Sequence, residues 1–193
     1  MSEAGMQQVA DGGEPAEAGR SFANRLVGAL RLDKAVYEDV ANDPAALVHA
    51  AGVVACVAAA RAIGVSLSAT PMQAGAREVL SVCGIWPIAA ALVWSVGKLL
   101  GHTGDFGRVL RAVGFAMSPL ILSALILVPS DWIRAGVLLV THALLFGALV
   151  VAVRPALRIG TGRAAFVCIL VALMLFLIYS AALFANLRMA GTS

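Results

Sequence analysis

Five long apolar runs separate the polar positions of this chain. They cover approximately residues 46–67, 79–100, 109–128, 133–153 and 164–186. Each run has the length of roughly 20 residues that an α-helix needs to cross the hydrocarbon core of a bilayer. Short polar turns join them, of which Pro129-Ser130-Asp131 is the tightest. The pattern predicts an all-α integral membrane bundle of five transmembrane helices within residues 44–193.

The pattern before the first run is different. Residues 1–19 are rich in Gly, Ala and Glu, and we expect a disordered acidic tail. In residues 20–43 the apolar side chains share one side of a helical wheel: Phe22, Leu26, Leu30, Val36, Tyr37 and Val40. This arrangement predicts an amphipathic helix in the membrane interface. Because Asp33 interrupts the apolar side, two shorter helices with Asp33 as the second N-cap fit equally well. Asp43 is then the expected N-cap of the first span, with Pro44 at its first position.

Composition and charge support a membrane protein and predict its orientation. The chain is 61% hydrophobic and 13% charged, with a mean hydropathy of +0.91, which excludes a water-soluble fold. If the N-terminus is cytoplasmic, ten bases lie on that side and four on the other. The positive-inside rule therefore predicts a cytoplasmic N-terminus and an outer C-terminus. Twelve Arg against two Lys, with abundant Ala and Gly, suggest a GC-rich bacterial genome and hence the inner membrane. The sequence has no cluster of basic residues interleaved with aromatic residues, so we expect no nucleic-acid binding.

Two ionisable residues at membrane depth are candidate functional positions, because burying charge in the bilayer is costly. Arg61 lies about two-thirds of the way through the first span, and its simpler interpretation is snorkelling toward the outer interface. His142, beside Thr141 in the fourth span, is interpreted as an interhelical hydrogen-bonding residue. No Asp or Glu falls within the predicted spans, which argues against a proton- or sodium-coupled transporter.

The loop before the third span contains Gly104, Asp105, Gly107 and Arg108. Backbone amides at such a helix start can bind a phosphate or a lipid headgroup, whereas the alternative is a flexible turn at the membrane surface. The spacing matches neither a dinucleotide fingerprint nor a P-loop. His102 and Asp105 are too few ligands to define a metal site, and no hydroxyl has a base in register. The sequence therefore predicts no cofactor, no metal site and no enzymatic activity.

The strongest local motif combines one arginine with small and aromatic residues and a proline: Arg111, Gly114, Phe115, Ala116 and Pro119. Gly114 and Ser118 form a small-xxx-small pattern that permits close helix contact. Pro119 is expected to kink the third span. We expect the Arg111 guanidinium to face the bundle interior and meet backbone carbonyls, a lipid phosphate or Asp105. Alternatively, Arg111 is only an orientation charge and Pro119 a tolerated kink.

At these residues the chain resembles the Yip domain family, the Ypt/Rab-interacting multi-pass membrane proteins, and especially its bacterial members. The likeness rests on three features: the lead-in Asn42-Asp43-Pro44-Ala45-Ala46, the second-span exit Gly97-Lys98-Leu99-Leu100-Gly101 followed by the loop from Gly104 to Arg108, and the motif Arg111-x-x-Gly114-Phe115-Ala116-x-x-Pro119 followed by Pro129. It covers residues of about 22–185 and implies five spans behind a cytoplasmic N-terminus. Eukaryotic relatives are linked to Rab GTPases and to traffic between the endoplasmic reticulum and the Golgi. Their N-terminal Asp-Leu-Tyr-Gly-Pro-type motif is missing here, and no residue maps onto GTPase binding.

Two functions follow as expectations. The resemblance implies a non-enzymatic integral membrane scaffold or adaptor of membrane traffic, whose partners are membrane lipids, another membrane or membrane-associated protein, or further copies of itself. The alternative is a small transporter or channel subunit in which Arg61, Arg111 and His142 line a path.

Overall fold

The described part of the chain is all-helical. A computed structural model describes residues 21–67, 72–102, 104–127 and 131–190, so the predicted tail of residues 1–19 lies outside the described residues. The helices are α1 (Phe22–Leu30), α2 (Lys34–Asn42), α3 (Ala46–Leu67), α4 (Met72–Leu99), α5 (Phe106–Ala116), a 3-10 helix (Ser118–Leu127), α6 (Asp131–Leu157) and α7 (Thr161–Ala190).

Within the described residues, five helical segments are long and apolar enough to cross a membrane, which confirms the predicted architecture. They are Ala46–Val65, Ala74–Leu99, Phe106–Ala124, Trp132–Leu157 and Thr161–Ala181. The second span was predicted to start at about residue 79, but α4 already begins at Met72. The fourth span was predicted to end at about residue 153, but α6 continues through Pro155 and ends at Leu157.

The third span changes helix type where a kink was expected. The α5 helix ends at Ala116 with Met117 as its C-cap, and the 3-10 helix begins at Ser118. Pro119 is its second residue. A proline has no N–H to donate, and its ring clashes with the carbonyl four residues earlier, so α-helical hydrogen bonding stops before it.

The segment before the first span forms two helices, the second of the alternatives that Asp33 left open. Leu32 has a φ of 58°, and the Asp33 amide donates to the Gly28 carbonyl at 3.0 Å, which ends α1. The Asp33 carboxylate then accepts from the Ala35 amide at 2.9 Å as the N-cap of α2. The apolar side of α2 packs into the protein core, which buries Val36, Tyr37 and Val40. These side chains of α2 are therefore not available to lipid, contrary to expectation.

Buried small residues let the spans approach closely. The core contains Ala50 of α3, Ala90 of α4, Ala112 of α5, Ala152 of α6 and Ala164 of α7. Small side chains at helix interfaces permit the close backbone approach that stabilises membrane bundles. Because the spans alternate in direction, α2 lies at the same end of the bundle as the α4–α5 loop and the α6–α7 turn. We call this end the α2 side.

Candidate functional site: a helical platform anchored by arginines

Arg111 of α5 contacts the C-terminal end of α2. Its Nε donates to the Val40 carbonyl at 3.2 Å, and its Nη2 donates to the Ala41 carbonyl at 2.8 Å. Both carbonyls lie in the last turn of α2, where no later residue of the helix can donate a hydrogen bond to them. The positive charge of the guanidinium also interacts favourably with the negative end of the helix dipole. Arg111 is only 8% exposed. Of the three partners expected for this side chain, the structure shows the backbone carbonyls.

Arg108, one turn earlier on α5, contacts the same helix end. Its Nε donates to the Ala41 carbonyl at 3.4 Å, and its Nη2 contacts the Asn42 side-chain oxygen. The Asp105 carboxylate accepts from the Arg108 amide at 3.3 Å as the N-cap of α5. The structure thus joins the predicted loop and the predicted arginine motif in one contact with α2.

The glycines of this loop permit close packing within the protein. A β-carbon on Gly107 would lie 3.0 Å from Oδ2 of Asp105 and 3.3 Å from Nη1 of Arg111. A β-carbon on Gly104 would lie 2.9 Å from a backbone carbonyl of α6. The Gly104 carbonyl accepts from Nε1 of Trp94 at 3.0 Å. The loop is therefore tied to α4 and α6, and phosphate binding by its amides stays a prediction.

Arg25 of α1 is the most buried charged side chain of the described residues, at 1% exposed. Its Nε donates to Asp39 at 3.0 Å and its Nη2 to Asp43 at 2.5 Å. Its Nη1 lies 3.0 Å from Nδ1 of His49, which is the acceptor because a guanidinium has only donors. One arginine thus connects α1, both ends of the α2–α3 junction and the first turn of α3.

Asp43 organises the junction between α2 and α3. Its amide donates to the Asp39 carbonyl at 2.9 Å, and its Oδ1 accepts from the Ala45 amide at 2.9 Å. The expected N-cap interaction is therefore present, although α3 begins at Ala46 rather than at Pro44. The hydrogen bond from Arg25 lowers the pKa of the Asp43 carboxyl below its ordinary value, and the Ala45 amide acts in the same direction. The carboxylate is thus stabilised in its charged form.

Close contacts also join α1 directly to α2. A β-carbon on Gly28 would lie 2.4 Å from Cγ2 of Val36, so only glycine lets the two helices cross here. The Tyr37 hydroxyl donates to the Ala29 carbonyl at 3.2 Å, and burial raises the pKa of this phenol. We call residues 21–43 the platform.

The rest of the predicted motif packs α5 against the neighbouring spans. A β-carbon on Gly114 would lie 2.9 Å from the Ala50 β-carbon and 3.0 Å from Nε1 of Trp86. That indole nitrogen donates to a carbonyl of α5 at 2.8 Å. Phe115 and Ala116 are fully buried. Gly114 therefore allows α3, α4 and α5 to meet directly above the arginine anchor.

The residues that form α2 and the five spans match a known family model. The Yip1 domain model matches residues 33–183. The chain belongs to the Yip1 domain family. Its members are non-enzymatic membrane proteins associated with membrane traffic, and they interact with membrane-associated proteins and lipids. No curated protein and no solved structure matches this chain.

The Yip1 domain match places a boundary within the platform. It begins at Asp33, the N-cap of α2, and therefore includes Arg108, Arg111 and the carbonyls that they contact. The α1 helix and Arg25 precede it. The anchoring of α2 is thus internal to the Yip1 domain, and Arg25 attaches a further helix to it.

Arg61 has a partner that sequence analysis missed. Its Nε forms an ion pair with Glu78 of α4, and the two side chains are 35% and 21% exposed. Glu78 lies within the candidate span Ala74–Leu99, so the expectation that no carboxylate falls within a span is wrong. The predicted second span began too late because Arg77 and Glu78 interrupt its apolar run. The contact across two helices also replaces the snorkelling interpretation with a specific ion pair.

Within the part of the chain that the structure describes, His142 does not make the expected interhelical hydrogen bond. Its side chain is exposed, and its Nδ1 donates to the Leu138 carbonyl of its own helix at 2.8 Å. Thr141 is the buried residue of this pair, and its hydroxyl has no hydrogen-bond partner within the described residues. The prediction failed because periodicity alone did not show which of two neighbours faces the bundle.

The structure does not bring together the three residues of the expected transport path. Arg61 is fifteen residues into α3, about 22 Å from the α2 side at the α-helical rise. Arg111 lies at the α2 side and is occupied by α2, whereas His142 is near the middle of α6 and faces outward. They occupy three separate positions.

Sequence analysis also missed Arg25, although a signal was present. Arg25 lies beside Phe22 and Ala29 on the helical wheel of α1, next to its apolar side. Asp39 and Asp43 are one turn apart and can approach a single cation. A base near an apolar side and a carboxylate pair one turn apart together indicate a buried ion pair.

Proposed function

We propose that this Yip1 domain protein is a non-enzymatic scaffold or adaptor of the bacterial inner membrane, and that its protein partner docks on the platform. The platform carries the proposal because Arg25, Arg108 and Arg111 fix it to the bundle through hydrogen bonds to carboxylates and backbone carbonyls. A fixed surface binds a partner without a further entropy cost for ordering it. The platform lies on the side that the charge bias assigns to the cytoplasm.

The exposed side of the platform suits a protein partner. Lys34, Glu38 and Asn42 of α2 are exposed and surround the exposed Ala35, so α2 presents a largely polar surface. On α1, Val27 and Leu30 are 48% and 38% exposed. A surface that combines apolar positions with surrounding polar residues is typical of recognition sites.

Photocrosslinking in native membranes tests this proposal. A photoreactive amino acid at Ala35 should capture a membrane-associated protein, whereas the same group at Arg77, exposed near the opposite end of the bundle, should not. Arg111→Lys should reduce the Ala35 product, because one ammonium cannot reproduce two hydrogen bonds in a fork. Arg163→Lys, an exposed change on the α2 side, is the matched control.

The outcomes separate clearly. Loss of the product in Arg111→Lys with retention in Arg163→Lys supports the docking surface. Capture at Arg77 alone, or an Ala35 product that is unchanged in Arg111→Lys, would contradict it.

A further inference from the structure

A cavity of about 220 Å³ lies between the first turn of α2 and the last turn of α6. Its charged lining consists of Lys34 and Glu38 from α2, with Arg154 and Arg158 from the end of α6. Three bases thus surround a single carboxylate. The volume equals that of roughly seven water molecules, which is more than a bare ion needs and suits a small polar group.

One guanidinium nitrogen of Arg154, a half-buried residue, is shielded from solvent. This nitrogen, Nε, is inaccessible to solvent and has no hydrogen-bond partner among the described residues. Within the described ranges, neither Arg154 nor Lys34 nor Arg158 forms an ion pair. Buried polar groups are almost always hydrogen-bonded, because the loss of water is otherwise uncompensated. An arginine in this state beside a cavity indicates an anionic ligand.

The backbone at Arg158 supports the same conclusion. Arg158 has a φ of 56°, and the Ile159 amide donates to the Arg154 carbonyl at 3.0 Å, which closes the end of α6. Glycine is the usual residue at such a helix end, since a β-carbon is disfavoured in this conformation. Here the position carries a long cationic side chain that lines the cavity.

Helix capping alone does not explain these bases. Cations in the last turn of a helix offset its dipole, and both arginines do so at the end of α6. That effect needs only a nearby charge, which a solvent-exposed side chain supplies equally well. It gives no reason for an Nε that is buried and has no acceptor.

We infer that this cavity binds a phosphate oxyanion, supplied by an anionic lipid headgroup or by free phosphate. Guanidinium groups bind phosphate oxygens with two hydrogen bonds, and Lys34 adds a third positive charge. The candidate span of α6 ends at Leu157, next to Arg158, so the cavity lies where headgroups begin. Basic pockets between helices at this depth suit phosphate headgroups. Glu38 accepts a hydrogen bond from a hydroxyl of the same headgroup. Lys34 and Glu38 belong to the platform as well, but anion binding here requires no protein partner.

Thermal stability in a neutral detergent tests the site. The full chain is melted with dioctanoyl phosphatidylglycerol, with uncharged dioctanoylglycerol, and with inorganic phosphate against sodium chloride of equal ionic strength. Arg154→Gln and Arg158→Asn remove one guanidinium each, and asparagine tolerates the left-handed backbone at position 158. Arg31→Gln is the matched control, because Arg31 is exposed on the α2 side but does not line the cavity.

The expected result is a rise in the melting temperature with the anionic lipid and none with dioctanoylglycerol. Each cavity variant should raise the apparent dissociation constant roughly tenfold, since a charge-assisted hydrogen bond contributes about that factor. Arg31→Gln should bind as the wild type does. Stabilisation by lipid alone identifies a headgroup, and equal stabilisation by inorganic phosphate identifies a free anion.

Three results would overturn the inference. One is the absence of stabilisation by either probe, and another is unchanged binding in Arg158→Asn. The third is an equal loss in Arg31→Gln, which would indicate attraction by general surface charge.

Discussion

Replacing Arg111 by lysine separates an anchoring contact from an orientation charge. The substitution keeps the positive charge that a topology signal requires. It removes the fork that donates to Val40 at 3.2 Å and to Ala41 at 2.8 Å. Since the side chain is 8% exposed, water does not replace the lost donor.

The expected cost follows from these two hydrogen bonds. A lysine ammonium at this position can satisfy one carbonyl, and the other is left buried without a donor. An unsatisfied buried acceptor costs about 1–3 kcal/mol. For a chain of this size, each kcal/mol shifts the melting temperature by about 2–4 °C. Arg111→Lys should therefore melt roughly 2–12 °C below the wild type in detergent.

Hydrogen exchange adds a local measurement to the melting experiment. Exchange should increase in α2, whose last turn loses a cap, and stay unchanged in α7. Arg163→Lys, an exposed arginine on the α2 side, should alter neither quantity. If Arg111→Lys melts as the wild type does and α2 remains protected, Arg111 is only an orientation charge and the anchoring argument is wrong.

Four further predictions address other parts of the molecule. Gly114→Ala should lower stability by about 1–3 kcal/mol because its β-carbon has no room, whereas Gly136→Ala, with open space around it, should not; detergent melting measures both. The hydrogen bond from Arg25 lowers the pKa of the Asp43 carboxyl. The stability that the charged carboxylate contributes is therefore complete above its ordinary pKa of 3.8, and it is lost as the pH falls through the lower pKa of the folded state. Asp43→Asn should accordingly show a smaller loss of melting temperature on acidification below that value. Arg61→Glu should destabilise the bundle and the swap with Glu78→Arg should restore it, and a swap that melts like the single variant would contradict the pairing. A reporter active only in the cytoplasm should be silent at the C-terminus, and strong activity would mean an even number of spans.

The transmembrane architecture was predictable because span length and hydropathy are local properties. The runs at 46–67 and 164–186 needed no tertiary information. The start of α4 was missed because Arg77 and Glu78 interrupt the apolar run there. Glu78 is paired with Arg61, which lies on another helix. Where a charge is compensated by a distant partner, a local count starts the candidate helix too late.

The candidate site was predictable only in part. Arg111 and the loop at Asp105 were identified from their motif, and the resemblance gave the family. Their contact with the end of α2 joins residues about seventy positions apart, which periodicity does not encode. The same holds for Arg25, whose acceptors lie on other elements. The missed residues are therefore those whose role depends on how helices pack.

The basic residues of the α2 side divide into groups that a topology count treats as equal. Arg25 and Arg111 are buried and engaged with carboxylates or carbonyls, so neither lipids nor a partner can contact them freely. Arg154 and Arg158 line the cavity between α2 and α6, and Arg163 is an exposed residue outside that cavity. Orientation needs only charge, and lysine supplies it at every position. Anchoring needs a guanidinium fork, so a series of arginine-to-lysine variants should affect stability at the buried positions and leave orientation unchanged at all of them.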